Sequence, residues 1–231
     1  MTGRTTPAGH RTIRSFVRRT GRLTPGQQKA FTRLWTRYGI DLDEGSPSIG
    51  GSFGRDAPLI LEIGFGNGES LVEMARNNPE SNFIGIEVHT PGIGHCMLAA
   101  EAADIDNLRL IAHDAMEVLG QHIADGTLSR LNLYFPDPWP KARHHKRRLL
   151  QPAFLDLASR KLVAGGTLHI ATDWESYAEH IDETLAARED FALLERREHA
   201  GENPLDRPTT KFERRGLKLG HRIWDWSFRR I

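Results

Sequence analysis

The feature that most constrains the fold of this 231-residue chain is an alternation of short apolar runs and longer amphipathic segments from Leu59 onward. The runs predict strands and the longer segments predict helices. Strands separated by helices build a parallel sheet covered on both faces. The predicted strands are 59–63, 82–87, 108–111, 131–135 and 167–172, and the predicted helices are about 68–77, 91–104, 114–124, 147–163 and 174–188.

Two later segments, Phe191–Leu194 and Arg222–Phe228, predict two more strands, and the second alternates with period two. Paired as an antiparallel edge, they would complete a seven-stranded sheet. We therefore predict an α/β fold with a doubly wound sheet over 58–231. A basic arm with a short helix at 1–40 and a loop at 41–57 precede it.

Alternating glycines follow the first predicted strand, at Gly64, Gly66 and Gly68. Glycines at a strand end let the backbone turn tightly and approach a ligand closely. The dinucleotide-binding pattern requires a glycine where this chain has Glu69, and a glutamate there would repel a pyrophosphate. The loop therefore favours S-adenosyl-L-methionine, which has an adenosine and no phosphate, over NAD.

Acidic residues accompany three successive predicted strands. Glu62 precedes the glycines and could meet the ammonium group of the ligand. Glu87 ends the second strand and could accept from ribose hydroxyls, and Asp114 follows the third and could accept from the adenine amino group. An acidic residue at a strand end is also often an ordinary helix cap, which is a clear alternative for Asp114.

A rigid turn follows the fourth predicted strand at Phe135-Pro136-Asp137-Pro138-Trp139-Pro140. Its prolines limit the freedom of the Asp137 carboxylate, and Trp139 offers a flat face for a base. Five of the next eight residues, 141–148, are Lys or Arg, which suits phosphate binding. The combination favours chemistry on a nucleobase, although a structural turn beside a solvated basic face is the alternative.

A second carboxylate and indole, Asp173 and Trp174, follow the fifth predicted strand. The polar, aromatic and basic segment Arg207–Gly216 then follows the sixth. We interpret this segment as a loop that folds over a substrate, with a plain connector as the alternative.

The net charge of +1 conceals a segregation of charge. Residues 1–40 contain nine Lys or Arg and no acidic residue, whereas residues 56–135 contain three basic and twelve acidic residues. A basic arm on an acidic body favours a polyanionic partner. For residues 1–22 we predict an RNA-binding arm, with a solvated tail and a mitochondrial presequence as alternatives.

Other features of the sequence exclude several classes of protein. No apolar run reaches the length of about 18 residues that a membrane span needs. The lone Cys96 excludes an internal disulfide framework and favours a reducing compartment, so we expect a cytoplasmic protein. No Cys or His pair has metal-ligand spacing, so no metal is expected. Nothing in the sequence requires a protein partner, and we expect a monomer.

Segments along nearly the whole chain resemble the bacterial tRNA (guanine-N7-)-methyltransferase family, TrmB. The resemblance rests most specifically on Phe135-Pro-Asp-Pro-Trp-Pro-Lys and Thr210-Lys-Phe-Glu. The other matching segments are Arg14-Ser-Phe-Val-Arg-Arg, Gly21-Arg-Leu-Thr24, Leu61-Glu-Ile-Gly-Phe-Gly, Gly85-Ile-Glu-Val-His, Arg143-His-His-Lys-Arg-Arg, Ala171-Thr-Asp-Trp and the Trp224 region.

The resemblance implies a class I, Rossmann-like methyltransferase that methylates N7 of the guanosine at position 46 in the tRNA variable loop. It also implies a role for each matching position. The positions implied to bind the cofactor are Glu62, Gly64, Gly66, Glu87, Asp114 and Asp137, and Asp137 is also implied to be catalytic. Those implied to bind the substrate are Lys141, Asp173, Thr210, Lys211, Phe212 and Glu213. Those implied to bind RNA are Arg143, His144, His145, Lys146, Arg147 and Arg148.

Three other functions compete with this one. A methyltransferase acting on another RNA nucleobase would use a similar proline-rich turn for an exocyclic amine. A non-catalytic RNA-binding module is disfavoured by the intact Glu62, Gly64, Gly66 and Asp137. A nicotinamide-dependent oxidoreductase is disfavoured by Glu69.

Overall fold

The computed structural model describes residues 24–42, 49–201 and 204–231, whose strands form one seven-stranded sheet. The strands are β1 (Leu59–Ile63), β2 (Asn82–Ile86), β3 (Leu108–Ile111), β4 (Leu128–Tyr134), β5 (Leu162–Thr172), β6 (Phe191–His199) and β7 (Ile223–Arg230). They lie in the order β3-β2-β1-β4-β5-β7-β6. Strands β1 to β5 are parallel, and β7 is antiparallel to both neighbours. The predicted α/β class and seven-stranded sheet are confirmed.

Helices cover both faces of the sheet. They are α1 (Pro25–Tyr38), α2 (Glu69–Asn77), α3 (Thr90–Ala102), α4 (Ala115–Gln121), α5 (Pro152–Lys161), α6 (Glu175–Ala186) and α7 (Lys211–Lys218). Helices α1, α2 and α3 contribute to one apolar core, and α4, α5 and α6 contribute to the other. This two-sided burial explains why the parallel strands read as nearly continuous apolar runs.

The strand order reverses at β1, which lies between β2 and β4. From β1 the chain moves outward through β2 to β3 and then returns to β4 on the other side of β1. In open sheets of this kind, ligands bind in the crevice outside the carboxyl ends of the strands at the point of reversal. The predicted site residues that follow β1, β2 and β4 are therefore brought to one crevice.

The predicted short helix in the N-terminal region is α1. Thr24 caps it, because the Gln27 N–H donates to Thr24 Oγ1 at 3.2 Å while Gln27 Oε1 accepts from the Thr24 N–H at 2.8 Å. The buried Ala30 and Leu34 lie in the same core as α2 and α3, and Arg33 pairs with Glu101 of α3 at 2.5 Å. The predicted arm at 1–22 lies outside the described residues.

Two predictions about local structure were wrong. A helix was expected over 147–163, but α5 begins only at Pro152 and residues Ala142–Arg147 form a separate 3₁₀ helix. The reason is Pro152, which occupies the first helical position and disfavours helical geometry in the residue before it. The segment Arg207–Gly216 was expected to be a loop, but α7 begins within it at Lys211.

Among the described residues, no helix is both long enough and apolar enough to cross a membrane. The same part of the chain contains no group of His, Cys, Asp and Glu that could hold a metal ion.

Candidate active site

A cavity of about 560 Å³ lies at the carboxyl ends of β1, β2 and β4. Four of the residues predicted to bind the cofactor line it, namely Gly64, Gly66, Glu87 and Asp137. Phe212 of α7 also lines it, although it is separated from the glycines by most of the chain. The fold therefore brings the glycine loop, the proline-rich turn and the start of α7 to one cavity.

The glycine loop has the backbone geometry that its sequence predicts. Gly64, Gly66 and Gly68 all have positive φ, at 72°, 61° and 79°. A side chain on Gly66 would come within 3.3 Å of the Phe212 ring, and one on Gly68 would come within 2.3 Å of Cys96 Sγ. The glycines thus allow the chain to turn, and they allow Phe212 and Cys96 to lie close to the loop.

Glu87 holds the glycine loop to the end of β2. Its Oε2 accepts from the Gly66 N–H at 2.9 Å, and its Oε1 accepts from the N–H groups of Val88 and His89 at 2.7 and 3.0 Å. A carboxylate has about four acceptor positions, so this arrangement leaves capacity for ribose hydroxyl donors. Glu87 is therefore placed for the role that its sequence position predicts, which stays a prediction.

Glu62 is buried and does not line the cavity, whereas its chain neighbours Ile63 and Gly64 do. Among the described residues, its Oε2 has no hydrogen-bond partner. Burial raises the pKa of its carboxyl to about 8, and nearby Glu87 adds to the rise, whereas Arg207 and Arg130 oppose it. A buried carboxylate with an unused acceptor fits a cationic donor such as the ammonium of S-adenosyl-L-methionine.

Asp114 is the N-cap of α4. Its Oδ1 accepts from the N–H groups of Met116 and Glu117 at 2.8 and 3.3 Å, while the adjacent His113 and Ala115 line the cavity. The structure thus realises the capping role that was the alternative for this residue. Its predicted contact with adenine stays a prediction.

The turn that carries Asp137 has strained residues on both sides. Phe135 and Trp139 have φ values of 50° and 45°, a region that bulky residues rarely adopt. Asp137 itself is exposed at the cavity. Trp139 is flanked by the Arg147 guanidinium, 4.9 Å from its ring centre, and by the edge of His144 at 5.9 Å. Part of the Trp139 surface is therefore already covered by the basic segment.

Asp173, the second carboxylate predicted at the site, follows β5 but does not line the cavity. Its Oδ2 accepts from His221 Nδ1 at 2.9 Å, and α7 packs so closely on it that a side chain at Gly216 would lie 2.7 Å from that oxygen. His221 also meets the Trp174 ring edge to face at 6.2 Å. The residues on either side of the α7 C-terminus thus fix the orientation of Asp173.

A buried ion-pair cluster anchors the N-terminus of α7. The Arg207 guanidinium donates to Asp225 at 2.7 and 2.8 Å and to Glu213 at 2.5 Å, and all three side chains are fully buried. Glu213 also completes a capping box with Thr210, whose Oγ1 accepts from the Glu213 N–H at 3.1 Å. Thr210 and Glu213 hold the start of the helix, while among the described residues Glu213 Oε1 has no hydrogen-bond partner. Their predicted contact with substrate stays a prediction.

Lys211 and Phe212 lie between Thr210 and Glu213 in the chain and are exposed. Phe212 is 49% exposed, and its ring lies beside Gly66 at the cavity. The capping box therefore holds the aromatic ring at the cavity, whereas Lys211 does not line it.

The basic segment divides into two kinds of residue. Lys141, Arg143 and Lys146 are exposed, and His144, His145 and Arg147 are half-buried. Arg148 is only 2% exposed, so the predicted RNA contact at this position does not match its burial. The reason is that its guanidinium points inward, toward Pro138 and Ser176.

A family model described as "Putative methyltransferase" matches residues 56–226. A tRNA (guanine-N(7)-)-methyltransferase of Aeromonas hydrophila subsp. hydrophila is 54% identical over 96% of this chain and 93% of its own length. Those of Psychromonas ingrahamii and Halorhodospira halophila are 54% and 52% identical over 96% and 95% of this chain, and 90% and 95% of their own lengths. The chain belongs to the tRNA (guanine-N(7)-)-methyltransferase family. The predicted family resemblance is confirmed.

Solved structures show that this tRNA (guanine-N(7)-)-methyltransferase has the class I methyltransferase fold. A 16S rRNA (adenine(1408)-N(1))-methyltransferase from Catenulisporales acidiphilia has a TM-score of 0.59 at 16% identity, covering 84% of this chain and 97% of that one. TrmN from Thermus thermophilus has a TM-score of 0.54 at 16% identity, covering 89% of this chain and 48% of that one. A variant of the adenine methyltransferase was solved with SAM as cosubstrate.

Sequence reasoning missed several residues of this methyltransferase site. His89 and His113 line the cavity. His89 ends the matching segment Gly85-Ile-Glu-Val-His but was given no role, and nothing in the sequence singled out His113. Arg207 was treated as part of a loop, although its guanidinium lies 5.4 and 5.3 Å from the ring centres of Tyr134 and Phe135. A buried arginine whose partners are distant in sequence leaves no local pattern.

Proposed function

We propose that this enzyme transfers the methyl group of S-adenosyl-L-methionine to N7 of a guanosine in tRNA, at position 46 in the variable loop. The observation that carries the proposal is the meeting of the glycine loop, the Asp137 turn and Phe212 at one cavity. Relatives named tRNA (guanine-N(7)-)-methyltransferase at up to 54% identity over 96% of the chain support the reaction and the substrate.

The residues around the glycine loop suit the cofactor. When bound, S-adenosyl-L-methionine supplies an electrophilic methyl group on a sulfonium. Gly64 and Gly66 provide close approach of the backbone, and Glu87 provides acceptors for hydroxyl groups. Glu62 provides a buried acceptor for the ammonium group, and Asp114 lies beside the same cavity as an acceptor for the adenine amino group.

Asp137 acts by position and charge in this proposal. Guanine N7 has an available lone pair, so no proton must be removed before it attacks a methyl group. The attack makes the purine ring cationic. A carboxylate fixed beside the ring stabilises that positive charge, and it also accepts from the guanine N1 or amino group to orient the attack. Asp173, oriented by His221, assists from the neighbouring strand.

The methyl acceptor is held by side chains that face the cavity or its rim. Phe212 is the aromatic residue best exposed for stacking on the guanine, since Trp139 is already covered by Arg147. Such stacking contributes about 1–3 kcal/mol per base. Lys141 and Lys211, both exposed, supply positive charge to the substrate, and Thr210 and Glu213 complete the substrate-binding segment while they fix α7.

The tRNA backbone is bound by the exposed Lys141, Arg143 and Lys146, together with His144, His145 and Arg147. These contacts position the substrate without reading its sequence, and their contribution decreases as salt increases. We also propose that the basic residues of the N-terminal arm, predicted at 1–22, bind the tRNA. We assign residues 58–231 to the methyltransferase domain and residues 1–40 to the arm and helix α1, joined by the loop at 41–57.

We also assign the enzyme to the cytoplasm as a monomer that works without a metal. The lone Cys96, which is buried in the core, suits a reducing compartment.

The decisive experiment is methylation of bulk tRNA from cells that lack this activity. Purified protein and S-adenosyl-L-methionine are expected to produce N7-methylguanosine, and borohydride and aniline treatment is expected to cleave the tRNA at one position in the variable loop. An Asp137→Asn protein prepared in parallel controls for contaminating enzymes. Product at an adenine, or cleavage outside the variable loop, would contradict the proposal.

A further inference from the structure

We propose that Arg148 is a positioning residue that holds the Asp137 turn in its strained geometry and sets its place relative to Asp173. This inference rests on the proposed role of Asp137. It separates Arg148 from the RNA-binding residues that precede it in the chain, although all of them belong to one basic run.

The contacts of Arg148 are those of a clamp. Its Nε donates to the Pro138 carbonyl at 2.9 Å, its Nη1 donates to the Ser176 carbonyl at 2.8 Å and its Nη2 donates to Ser176 Oγ at 2.9 Å. The guanidinium also lies 4.8 Å from the centre of the Tyr177 ring. One planar group therefore joins the turn after β4 to the first turn of α6.

The turn needs such an anchor because it is strained. Phe135 and Trp139 both have left-handed backbone geometry, on either side of Asp137. Strain of this kind is unfavourable and persists only where surrounding contacts enforce it. Pro138, whose carbonyl accepts from Arg148, lies between Asp137 and Trp139. The hydrogen bond therefore holds the backbone directly next to Asp137 and so fixes the position of its carboxylate.

The same clamp relates the two carboxylates of the site. Helix α6 begins two residues after Asp173, and Ser176 lies in its first turn. Because Arg148 binds both Pro138 and Ser176, a change in its length or shape shifts the Asp137 turn against the strand end that carries Asp173.

The chemistry of the clamp requires arginine. All three hydrogen bonds described above go to neutral oxygens, and the planar guanidinium donates them in fixed directions. A lysine keeps the charge but not this fork. At a phosphate contact a lysine replaces arginine with little loss, so Arg148→Lys separates positioning from RNA binding.

The test compares Arg148→Gln and Arg148→Lys with Arg143→Gln and Arg143→Lys. We expect both Arg148 variants to lower kcat about 10- to 100-fold, as misplacement of a reacting group by about 1 Å does. The KM for tRNA and its salt dependence stay unchanged. Arg143→Gln is expected to raise KM and reduce the salt slope by about one, and Arg143→Lys to restore both.

A double-mutant cycle with Asp137→Asn completes the test. If Arg148 acts through Asp137, adding Arg148→Gln to Asp137→Asn lowers kcat less than about 3-fold further, because the positioned charge is already absent. Full additivity, or an Arg148→Lys protein with wild-type kcat, would overturn the inference. If Arg148→Gln does not fold, Ser176→Ala removes one bond of the clamp and enters the same cycle. If the wild-type protein forms no N7-methylguanosine, the proposed function itself is refuted.

Discussion

The buried Glu62 predicts a specific dependence of stability on pH. In the protein without cofactor, burial raises the pKa of its carboxyl from 4.5 to about 8, and Glu87 adds to the rise. The folded state therefore binds the proton more tightly than the unfolded state does. The stability that this group contributes is fully present below the unfolded pKa, and it is lost as the pH rises through the folded pKa.

The magnitude follows from the width of this window. Between pH 5.5 and 7.5 the unfolded carboxyl is mostly ionised and the folded one is mostly protonated. Each pH unit then removes about 1.4 kcal/mol, so the two units reduce the free energy of unfolding by about 2–3 kcal/mol. Replacing Glu62 by glutamine keeps the shape and hydrogen-bonding reach of the protonated acid and removes its titration.

Urea unfolding at pH 5.5 and 7.5 measures this difference. We expect the wild-type protein to lose about 2–3 kcal/mol more than Glu62→Gln over this interval. Glu73→Gln, at an exposed position on α2, serves as the matched control and should follow the wild type. If Glu62→Gln loses as much stability as the wild type, the carboxyl is not protonated in the folded protein and the reasoning from burial fails.

Three further predictions concern the site. Asp137→Asn is expected to lower kcat/KM roughly 100- to 1,000-fold while calorimetry shows that the protein still binds the cofactor, and near-wild-type activity would exclude an electrostatic role. Phe212→Ala is expected to weaken tRNA binding by about 1–3 kcal/mol in a filter-binding assay, whereas Phe212→Tyr retains it; equal affinities would exclude stacking. Arg207→Gln strands two buried carboxylates and is expected to reduce stability to urea by about 3–5 kcal/mol. The exposed Arg214→Gln should cost less than about 1 kcal/mol, and equal losses would contradict the ion-pair argument.

The sheet could be predicted from the sequence because each strand is read from its own residues. β1 and β3 match their predicted bounds, and the others differ by a few residues at their ends. The helix predicted over 147–163 was wrong at its start, because Pro152 stands at the first helical position of α5 and a proline there marks a helix start. α7 was missed because its polar, aromatic and basic segment was interpreted as a loop, although Thr210 and Glu213 form a capping box.

The candidate site could be predicted where a residue of suitable chemistry stands at the carboxyl end of a strand. Gly64, Gly66, Glu87 and Asp137 meet at one cavity, as their positions after successive strands require. Residues that act through distant partners were not predictable. Nothing in the sequence near Arg148 indicates that Ser176 accepts from its guanidinium.

Glu213 of α7 is another residue whose role could not be predicted from the sequence around it. Glu213 looks like a substrate ligand when only its own segment is considered. Its burial becomes apparent only when the fold places Arg207 against it.

Because β7 lies inside the sheet, part of the sheet can form only after β7 has been synthesised. β7 is synthesised after every other strand, yet it lies between β5 and β6 and supplies Asp225 to Arg207. During synthesis, the five parallel strands can pair with one another before β7 emerges. Among the described strands, β6 pairs with β7 alone, and Arg207 at the base of α7 has its counterion Asp225 on β7. The edge of the sheet beside α7 is therefore completed by the last of the seven strands.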